Sequence, residues 1–180
     1  ADSISLLGAV NPPRGAKVID IGTGAGFPGI PLLICRPDLD LTLLDSTRKK
    51  LDFIDESSAK LNLPVKTLHL RAEEAGKSAL HREKYDLVVS RAVASLEVLS
   101  EYCLPLVKIG GVFAAMKGAN WQMEAKQAQS VIKHLGGEKV HEKSFSLADD
   151  GERCIIIIKK ISQTLPKYPR ASTIISRKPL

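Results

Sequence analysis

The sequence predicts an α/β fold in which a mostly parallel, seven-stranded sheet carries helices on both faces and ends in an antiparallel hairpin. Three observations lead to this prediction. A short β-branched strand at 18–21 runs into a loop with four glycines and then into a helix start, as in nucleotide-binding α/β units. Strand-like and helix-like segments then alternate as far as residue 135, which parallel neighbours require for their crossovers. The last third instead contains two apolar strands with no helix between them.

The composition is that of an ordinary globular protein. The 180 residues are 44% hydrophobic and 26% charged, which suits one domain, placed here at 1–161 with a basic tail at 162–180. No window approaches the run of about 18 apolar residues that a membrane helix needs, so we expect no membrane span. Cys35, Cys103 and Cys154 show neither C-x-x-C nor zinc spacing, which favours a reduced, cytoplasmic compartment and no metal. The net charge of +6 favours an anionic partner such as nucleic acid.

The glycine loop after the first strand is the strongest candidate for a ligand site. Residues 17–29 read Lys-Val-Ile-Asp-Ile-Gly-Thr-Gly-Ala-Gly-Phe-Pro-Gly, and the glycines let the backbone turn sharply and approach a ligand closely. The proline at 28 is compatible with the first turn of a helix. We therefore predict that Gly22, Gly24 and Gly26 bind a cofactor at the carboxyl end of this strand.

Two cofactor classes fit this loop. Residues 24–29 match G-x-G-x-x-G, the dinucleotide fingerprint, but this match alone is weak. Asp20 lies two residues before a G-x-G-x-G, an arrangement that resembles the first motif of S-adenosylmethionine-dependent methyltransferases. A carboxylate there can pair with the ammonium of a methionine moiety, directly or through water, whereas a pyrophosphate would meet its negative charge. Asp20 therefore favours S-adenosylmethionine over a dinucleotide.

The next elements supply candidates for the rest of the cofactor site. We predict helices at 30–35 and 48–62, and strands at 39–45 and 65–70. Asp45 ends the second strand where a ribose-binding acid belongs. The alternative is that Asp45 only caps the following helix, a place that Thr47 can also take. Ala72 and Glu73 follow the third strand, beside the expected adenine, and the acid there equally suits a helix N-terminus.

The fourth and fifth strands, predicted at 85–90 and 112–116, end at the same edge of the sheet. Arg91 follows the fourth strand, where a transferred methyl group would meet its acceptor. We therefore predict that Arg91 contacts cofactor or substrate rather than lying on the surface without a role. Lys117 follows the fifth strand at the same rim. Helices are predicted at 95–106 and 121–135.

The last third departs from the dinucleotide-binding fold. Strands at 139–147 and 153–161 are joined by Ala-Asp-Asp-Gly, a turn that connects antiparallel neighbours. The apolar run Ile155–Ile158 lacks alternation, which predicts a strand inserted between others rather than at the edge. A terminal hairpin of this kind is typical of methyltransferases. We expect the tail to be irregular, and its basic residues suit either phosphates or solvent.

Several motifs together resemble one protein family. They are Ile19–Leu32, Arg36-Pro37, Leu44–Lys50, Ser90–Ala94, Met116-Lys117-Gly118, Gly151-Glu152-Arg153 and Tyr168-Pro169-Arg170. Over nearly the whole chain the sequence is similar to the glucose-inhibited division protein B family, bacterial methyltransferases of small-subunit ribosomal RNA. The Gly-Phe-Pro-Gly extension of the loop makes this resemblance more specific than a glycine motif alone.

The resemblance implies a class I, Rossmann-like methyltransferase fold and methyl transfer from S-adenosylmethionine to ring nitrogen N7 of a guanine. The residues that it implies for the cofactor are Gly22, Phe27, Asp45, Ser46, Thr47, Ala72, Glu73 and Arg91. It implies RNA contacts for Lys117 and Arg153 in addition to Arg91, and we add Arg170 of the tail. The expected partner is small-subunit ribosomal RNA or a ribosomal particle, bound by a monomer. Because the family has a longer helical N-terminal segment, we expect residues 1–14 to be the end of a truncated one.

The predicted chemistry needs no catalytic residue, and none is assigned. A guanine ring nitrogen can attack a sulfonium methyl directly, so proximity and alignment would supply most of the catalysis. Methylation of a pyrimidine carbon would instead need a cysteine nucleophile, which we expect to be absent from this rim. N7 is inaccessible in an A-form helix, so the target base should be unpaired or extruded. A catalytically inactive RNA-binding module and, less favoured, a dinucleotide-dependent oxidoreductase are the alternatives.

Overall fold

A computed structural model describes residues 2–91, 93–147 and 151–180. These residues form one seven-stranded sheet with the strand order β3-β2-β1-β4-β5-β7-β6. The strands are β1 (Lys17–Ile21), β2 (Asp40–Asp45), β3 (Lys66–His69), β4 (Tyr85–Arg91), β5 (Val107–Lys117), β6 (Gly137–Leu147) and β7 (Gly151–Lys160). A 3₁₀ helix (Asp2–Gly8) precedes α1 (Gly29–Cys35), α2 (Arg48–Lys60), α3 (Ala72–Lys77), α4 (Leu96–Cys103), α5 (Trp121–Gln127), α6 (Gln129–His134) and α7 (Ser172–Arg177).

The strand pairing confirms the predicted fold class. Strands β1 to β5 pair in parallel, with β1 between β2 and β4. Strand β7 then lies antiparallel between β5 and β6, so that Lys117 of β5 is opposite Cys154 of β7. The prediction that Ile155–Ile158 belongs to an interior strand is confirmed. The Ala-Asp-Asp-Gly turn predicted before β7 lies, at 148–150, outside the described residues.

Both faces of the sheet are buried at its five interior strands, β2, β1, β4, β5 and β7, because each of these contributes residues to two different hydrophobic clusters. In β1, Ile19 packs with α4 and α6, whereas Val18 packs with α1, α2 and the 3₁₀ helix. The same alternation separates Ile156 from Ile155 in β7. Parallel strands covered by helices on both sides need apolar residues at nearly every position, which explains the unbroken apolar runs in the sequence.

Three local predictions differ from the structure. The fifth strand begins at Val107 rather than at the predicted residue 112, because Gly110, at φ +84°, lets the strand bulge opposite β4 and continue. The single helix predicted at 121–135 is two helices that meet at Ala128. Residues 2–8 form a 3₁₀ helix, whose Leu6 is fully buried against the sheet.

The tail is packed onto the domain; residues 162–171 contain neither helix nor strand, as expected, whereas Ser172–Arg177 form a helix that the sequence did not predict. Tyr168 and Ile175 are buried, and Ile175 belongs to α7. The Arg170 guanidinium binds the buried Glu101 carboxylate of α4 through hydrogen bonds of 2.6 to 3.2 Å. The Arg82 guanidinium donates to the carbonyl oxygens of Thr164 and Tyr168. The tail thus packs against α4, and from it Ser172 reaches the candidate site described below.

Candidate active site

The glycine loop leaves the carboxyl end of β1 and is held by β2. The N–H groups of Gly22 and Thr23 donate to the Leu44 carbonyl oxygen at 2.9 and 3.1 Å. Gly22 adopts φ +66°, and a Cβ there would lie 2.8 Å from Cγ2 of Val93 in the loop after β4. A larger residue at position 22 would therefore face both backbone strain and a clash. The loop takes this tight path only because glycine occupies the position.

Asp20 lies beneath the loop and is fully buried. Its Oδ2 accepts hydrogen bonds from the Thr23 hydroxyl at 2.8 Å and from the Gly29 N–H at 2.9 Å. Its Oδ1 has no hydrogen-bond partner among the described residues. Burial raises the pKa of Asp20 to about 6, against which the hydrogen bonds from Thr23 and Gly29 act. Asp20 thus organises the loop and retains one free acceptor atom.

Asp45, at the end of β2, is also buried and has both oxygens engaged by backbone groups. Oδ2 accepts a hydrogen bond from the Gly24 N–H at 3.1 Å, and Oδ1 accepts one from the Thr47 N–H at 2.9 Å. The ammonium of Lys50 lies 3.5 Å from Oδ2. Thr47 occupies the N-cap of α2, so Asp45 does not take that place. Each carboxylate oxygen has a second lone pair, so Asp45 can still accept hydrogen bonds from a ligand.

A cleft with a volume of about 350 Å³ opens beside these groups, and we call it the β1–β2 cleft. Seven residues predicted to bind the cofactor border it: Gly22, Asp45, Ser46, Thr47, Ala72, Glu73 and Arg91. The other four, Asp20, Gly24, Gly26 and Phe27, belong to β1 or its loop and do not border the cleft. Ala72 and Glu73 begin α3, as expected of an acidic helix N-terminus, and their contact with adenine stays a prediction. Tyr102 of α4 and Ser172 of α7 also border the cleft, and no motif in the sequence indicated them.

Arg91 separates this cleft from a second one. Its guanidinium lies 5.5 Å from the centre of the Phe27 ring and donates through Nη1 to Oδ2 of Asp2 at 3.2 Å. On its other side is a pocket of about 310 Å³, here called the β4–β5 pocket. The residues bordering this pocket include Asp2, Arg91, Met116, Phe145, Arg153 and Cys154. Arg91 borders both spaces, as the prediction of a contact with cofactor or substrate requires.

Lys117 borders the β4–β5 pocket, but its ammonium is bound inside the protein. Nζ donates to the Ala94 carbonyl oxygen at 2.7 Å and lies 2.7 Å from Oε2 of Glu124. The same Oε2 accepts a hydrogen bond from the Leu96 N–H at 2.8 Å. Only 8% of the Lys117 side chain is exposed. Lys117 therefore fixes the loop between β4 and α4, and its predicted contact with RNA is untested by this geometry.

Arg153 and Arg170, which are predicted to bind RNA in addition to Arg91, lie in different places. Arg153 borders the β4–β5 pocket with Arg91 and Lys117, and its Nη1 donates to the Glu152 carbonyl oxygen at 3.3 Å. Arg170 borders neither the cleft nor the pocket. Hydrogen bonds to Glu101 raise the pKa of Arg170 and hold its guanidinium against α4. The structure thus brings Arg91, Lys117 and Arg153 together and leaves Arg170 apart.

Cys154 corrects one expectation, because a cysteine does lie at this rim. It is opposite Lys117 in the sheet and borders the β4–β5 pocket, although its side chain is buried. Burial raises the pKa of the Cys154 thiol to about 11. Since the thiolate is the reactive form, the thiol is a poor nucleophile near neutral pH.

The family model described as rRNA small subunit methyltransferase G, or GidB, matches residues 1–155. The chain belongs to this family. The protein named "Ribosomal RNA small subunit methyltransferase G" from Desulforamulus reducens is 47% identical over 99% of this chain and 75% of its own length. The protein of the same name from Alkaliphilus oremlandii is 49% identical over 99% of this chain and 76% of its own length. The family resemblance seen in the motifs is thereby confirmed.

Solved structures with low sequence identity share the fold of this family member. TrmN from Thermus thermophilus superposes with a TM-score of 0.69 at 17% identity, over 88% of this chain and 48% of its own. The geranyl diphosphate C-methyltransferase from Streptomyces coelicolor, solved with S-adenosyl-L-homocysteine, superposes with a TM-score of 0.68 at 8% identity. This superposition covers 88% of the present chain and 78% of the methyltransferase. These likenesses confirm the class I methyltransferase fold.

Two further properties concern membranes and metals. Within residues 2–91, 93–147 and 151–180, every helix is too short or too polar to cross a bilayer. Across the same ranges, no three His, Cys, Asp or Glu side chains converge as ligands for a metal ion. The expectations of a monomer and of a cytoplasmic location stay predictions.

Proposed function

We propose that this chain transfers a methyl group from S-adenosylmethionine to N7 of a guanine in small-subunit ribosomal RNA. The observation that carries the proposal is the pair of adjoining spaces at one sheet edge, with Arg91 bordering both. In this assignment the β1–β2 cleft takes the donor and the β4–β5 pocket takes the target base. The names of the family relatives, which specify small-subunit ribosomal RNA, support the choice of substrate.

The residues present fit S-adenosylmethionine. The unpartnered Oδ1 of the buried Asp20 is an acceptor that the methionine ammonium would satisfy, directly or through water. Asp45 and Glu73 place carboxylates along the cleft, where the ribose hydroxyls and the adenine side would lie. When bound, the cofactor supplies an electrophilic methyl group on a positively charged sulfur.

The protein's own part in the reaction is to position the methyl donor and the acceptor base and to exclude water. N7 of guanine attacks with its lone pair, and no proton leaves that atom, so a general base is not required. Arg91 holds the boundary between donor and acceptor, and Lys117 fixes the adjoining loop through Ala94 and Glu124. The buried, protonated Cys154 makes a covalent pyrimidine mechanism unfavourable. Proximity and orientation therefore account for catalysis.

The proposed RNA partner agrees with the charge of the chain. The net charge of +6 attracts the phosphate backbone, and Arg153 adds a cation at the rim of the β4–β5 pocket. N7 lies in the deep groove of an A-form helix, so the base must be unpaired or extruded to enter the pocket. A pure RNA-binding module would not need the cleft beside Asp20 and Asp45, which disfavours that alternative.

The test is methyl transfer from labelled S-adenosylmethionine to small-subunit ribosomal RNA, free and in particles, prepared from a strain that lacks this protein. The RNA is then digested and the modified nucleoside identified by mass. Label in 7-methylguanosine is the expected result. Cofactor binding without any labelled nucleoside would contradict the proposed reaction, and a lack of cofactor binding would contradict the methyltransferase assignment as a whole. Asp52→Asn, a change at an exposed residue of α2 that borders neither the cleft nor the pocket, is the control variant.

A further inference from the structure

We propose that Asp2 binds the Watson–Crick edge of the target guanine in the β4–β5 pocket and thereby selects guanine over the other bases. The inference rests on the proposed function, because it places the acceptor base in that pocket. Nothing in the first strand or its glycine loop accounts for base selection. The 3₁₀ helix that carries Asp2 packs against α1 and the sheet, which brings this acid to the pocket wall.

The Asp2 carboxylate has one oxygen engaged and one free. Oδ2 accepts the hydrogen bond from Arg91, which fixes the direction of the carboxylate. Oδ1 is buried yet has no hydrogen-bond partner among the described residues. A buried acceptor without a partner costs free energy, and a ligand donor that reaches it recovers that cost. Asp20 is the only other described acid with such an oxygen, and it does not border the β4–β5 pocket.

The surroundings of Asp2 suit an extruded purine. Met116 and Phe145 border the same pocket and offer apolar surface to the faces of a base. Enzymes that modify extruded bases hold them in this way, with stacking on the faces and hydrogen bonds on the Watson–Crick edge. The pocket volume of about 310 Å³ lies in the range of small-ligand sites.

Guanine is the base whose edge matches a carboxylate. It presents two adjacent donors, N1–H and N2–H, which can both reach one carboxylate. Adenine and cytosine each place a ring-nitrogen acceptor next to their amino group, and uracil places carbonyl oxygens on both sides of its N–H. Each of these would set an acceptor against the Asp2 oxygens.

This binding mode leaves the reacting atom free. N7 lies on the imidazole ring, on the other side of the purine from N1 and N2. Asp2 borders the β4–β5 pocket but not the β1–β2 cleft, whereas Arg91 borders both. A guanine held at its Watson–Crick edge can therefore present N7 towards the donor.

The test compares guanosine with inosine, which lacks the N2 amino group. The nucleotide that the wild-type protein methylates is mapped first, and RNA segments carrying guanosine or inosine there are then assayed. We expect the wild type to favour guanosine roughly tenfold or more in kcat/KM, the discrimination of one good base contact. We expect Asp2→Ala to lower kcat/KM on guanosine and to treat both RNAs alike. Asp52→Asn should keep the wild-type ratio.

The ratio of kcat/KM on guanosine RNA to kcat/KM on inosine RNA is taken within one variant, so a general loss of activity cancels out of it. Asp2→Asn is the second variant, because it keeps the side-chain shape if Asp2→Ala disturbs Arg91. Calorimetry with S-adenosyl-L-homocysteine should show unchanged cofactor affinity in both variants. If both variants keep the wild-type preference for guanosine, the role of Asp2 is disproved while the proposed function stands. If the wild type forms no 7-methylguanosine, the proposed function fails and the role of Asp2 fails with it.

Discussion

The Gly24 N–H donates a hydrogen bond of 3.1 Å to Oδ2 of Asp45, which joins the loop after β1 to the end of β2. The two strands are parallel neighbours, so their carboxyl ends meet at this point. One carboxylate thus shapes the glycine loop and borders the β1–β2 cleft at the same time. A ligand that binds Asp45 also acts on the loop, and the loop in turn fixes where Asp45 can meet a ligand.

Replacing Asp45 by Ala should weaken cofactor binding more than it weakens the fold. The change removes the acceptor for Gly24 and Thr47 and the carboxylate offered to the cofactor. We expect the Kd for S-adenosylmethionine to rise roughly 10–100-fold, the range for hydrogen bonds to a charged group, as measured by calorimetry. Asp40→Ala, at the exposed start of the same strand, is the control and should bind normally. Equal affinities in the two variants would contradict the role given to Asp45.

Replacing Gly22 by Ala should disrupt the loop by a clash as well as by strain. Gly15 has a similar φ of +70° but no atom within 4 Å of an added Cβ. Gly15→Ala therefore measures only the free-energy cost of placing a non-glycine residue at positive φ. That control should cost about 1–2 kcal/mol in the free energy of unfolding. Gly22→Ala adds a Cβ 2.8 Å from Val93 and should cost more and reduce cofactor affinity. Denaturant unfolding and calorimetry check both effects. Equal losses in the free energy of unfolding at the two positions would show that the Val93 side chain moves aside without cost.

The free energy of unfolding should depend on pH through Asp20. Its pKa is about 6 in the folded protein and 3.8 for an aspartate in water, so between these values the folded state binds a proton that the unfolded state lacks. Stability of the cofactor-free protein should therefore increase as pH falls from 6 to 4, by up to about 1.4 kcal/mol for each unit. Asp20→Asn should abolish this increase in denaturant titrations. If the free energy of unfolding of that variant depends on pH as it does in the wild type, Asp20 is excluded as the cause.

Cofactor affinity should change in the opposite direction over the same range. An ammonium group favours the ionised form of Asp20, so protonation of Oδ1 or Oδ2 competes with binding. We expect the Kd for S-adenosylmethionine to rise as pH falls below about 6, by at most tenfold for each unit. Calorimetry at several pH values measures this change, and Asp52→Asn serves as the matched control. A Kd that is constant from pH 7 to pH 5 would contradict a contact between Asp20 and the ammonium.

Replacing Arg170 by Ala should destabilise the fold rather than weaken RNA binding. The change leaves the buried Glu101 carboxylate without its guanidinium partner, which typically costs about 3–5 kcal/mol in the free energy of unfolding. Arg48→Ala removes an exposed ion pair on α2 and should cost less than about 1 kcal/mol. Thermal unfolding compares the two variants. If Arg170→Ala is stable but binds RNA weakly, the sequence-based assignment of Arg170 to RNA is the better one.

The sequence was informative where function depends on local pattern and less so where it depends on packing between distant segments. The order of residues from Val18 to Gly26 was sufficient to predict strand, loop and cofactor class, because backbone geometry there follows from neighbouring residues. Asp2, Tyr102 and Ser172 reach the site only through the folding of the chain ends and α4 onto the sheet. Hydrophobic periodicity does not predict such contacts between distant segments.

The same limit applies to charges. Lys117 and Arg170 were predicted to meet RNA because their positions in the chain suggested a basic rim. The structure shows that each has an acidic partner on a different element, Glu124 of α5 for Lys117 at 2.7 Å and Glu101 of α4 for Arg170 at 2.6 Å. Whether a cation faces solvent or a buried carboxylate depends on tertiary packing, which single-sequence patterns do not contain.

Lys117 gives the sharpest test of this distinction. Lys117→Met should release the Ala94 carbonyl oxygen and Glu124, so that the loop before α4 moves and kcat/KM for RNA falls. Because the ammonium is bound internally, the slope of RNA affinity against salt concentration should stay that of the wild type. Arg153→Gln, at the rim of the same pocket, should instead reduce that slope by about one, as loss of a phosphate contact does. A reduced slope in Lys117→Met would mean that Lys117 leaves Glu124 to bind a phosphate when RNA arrives.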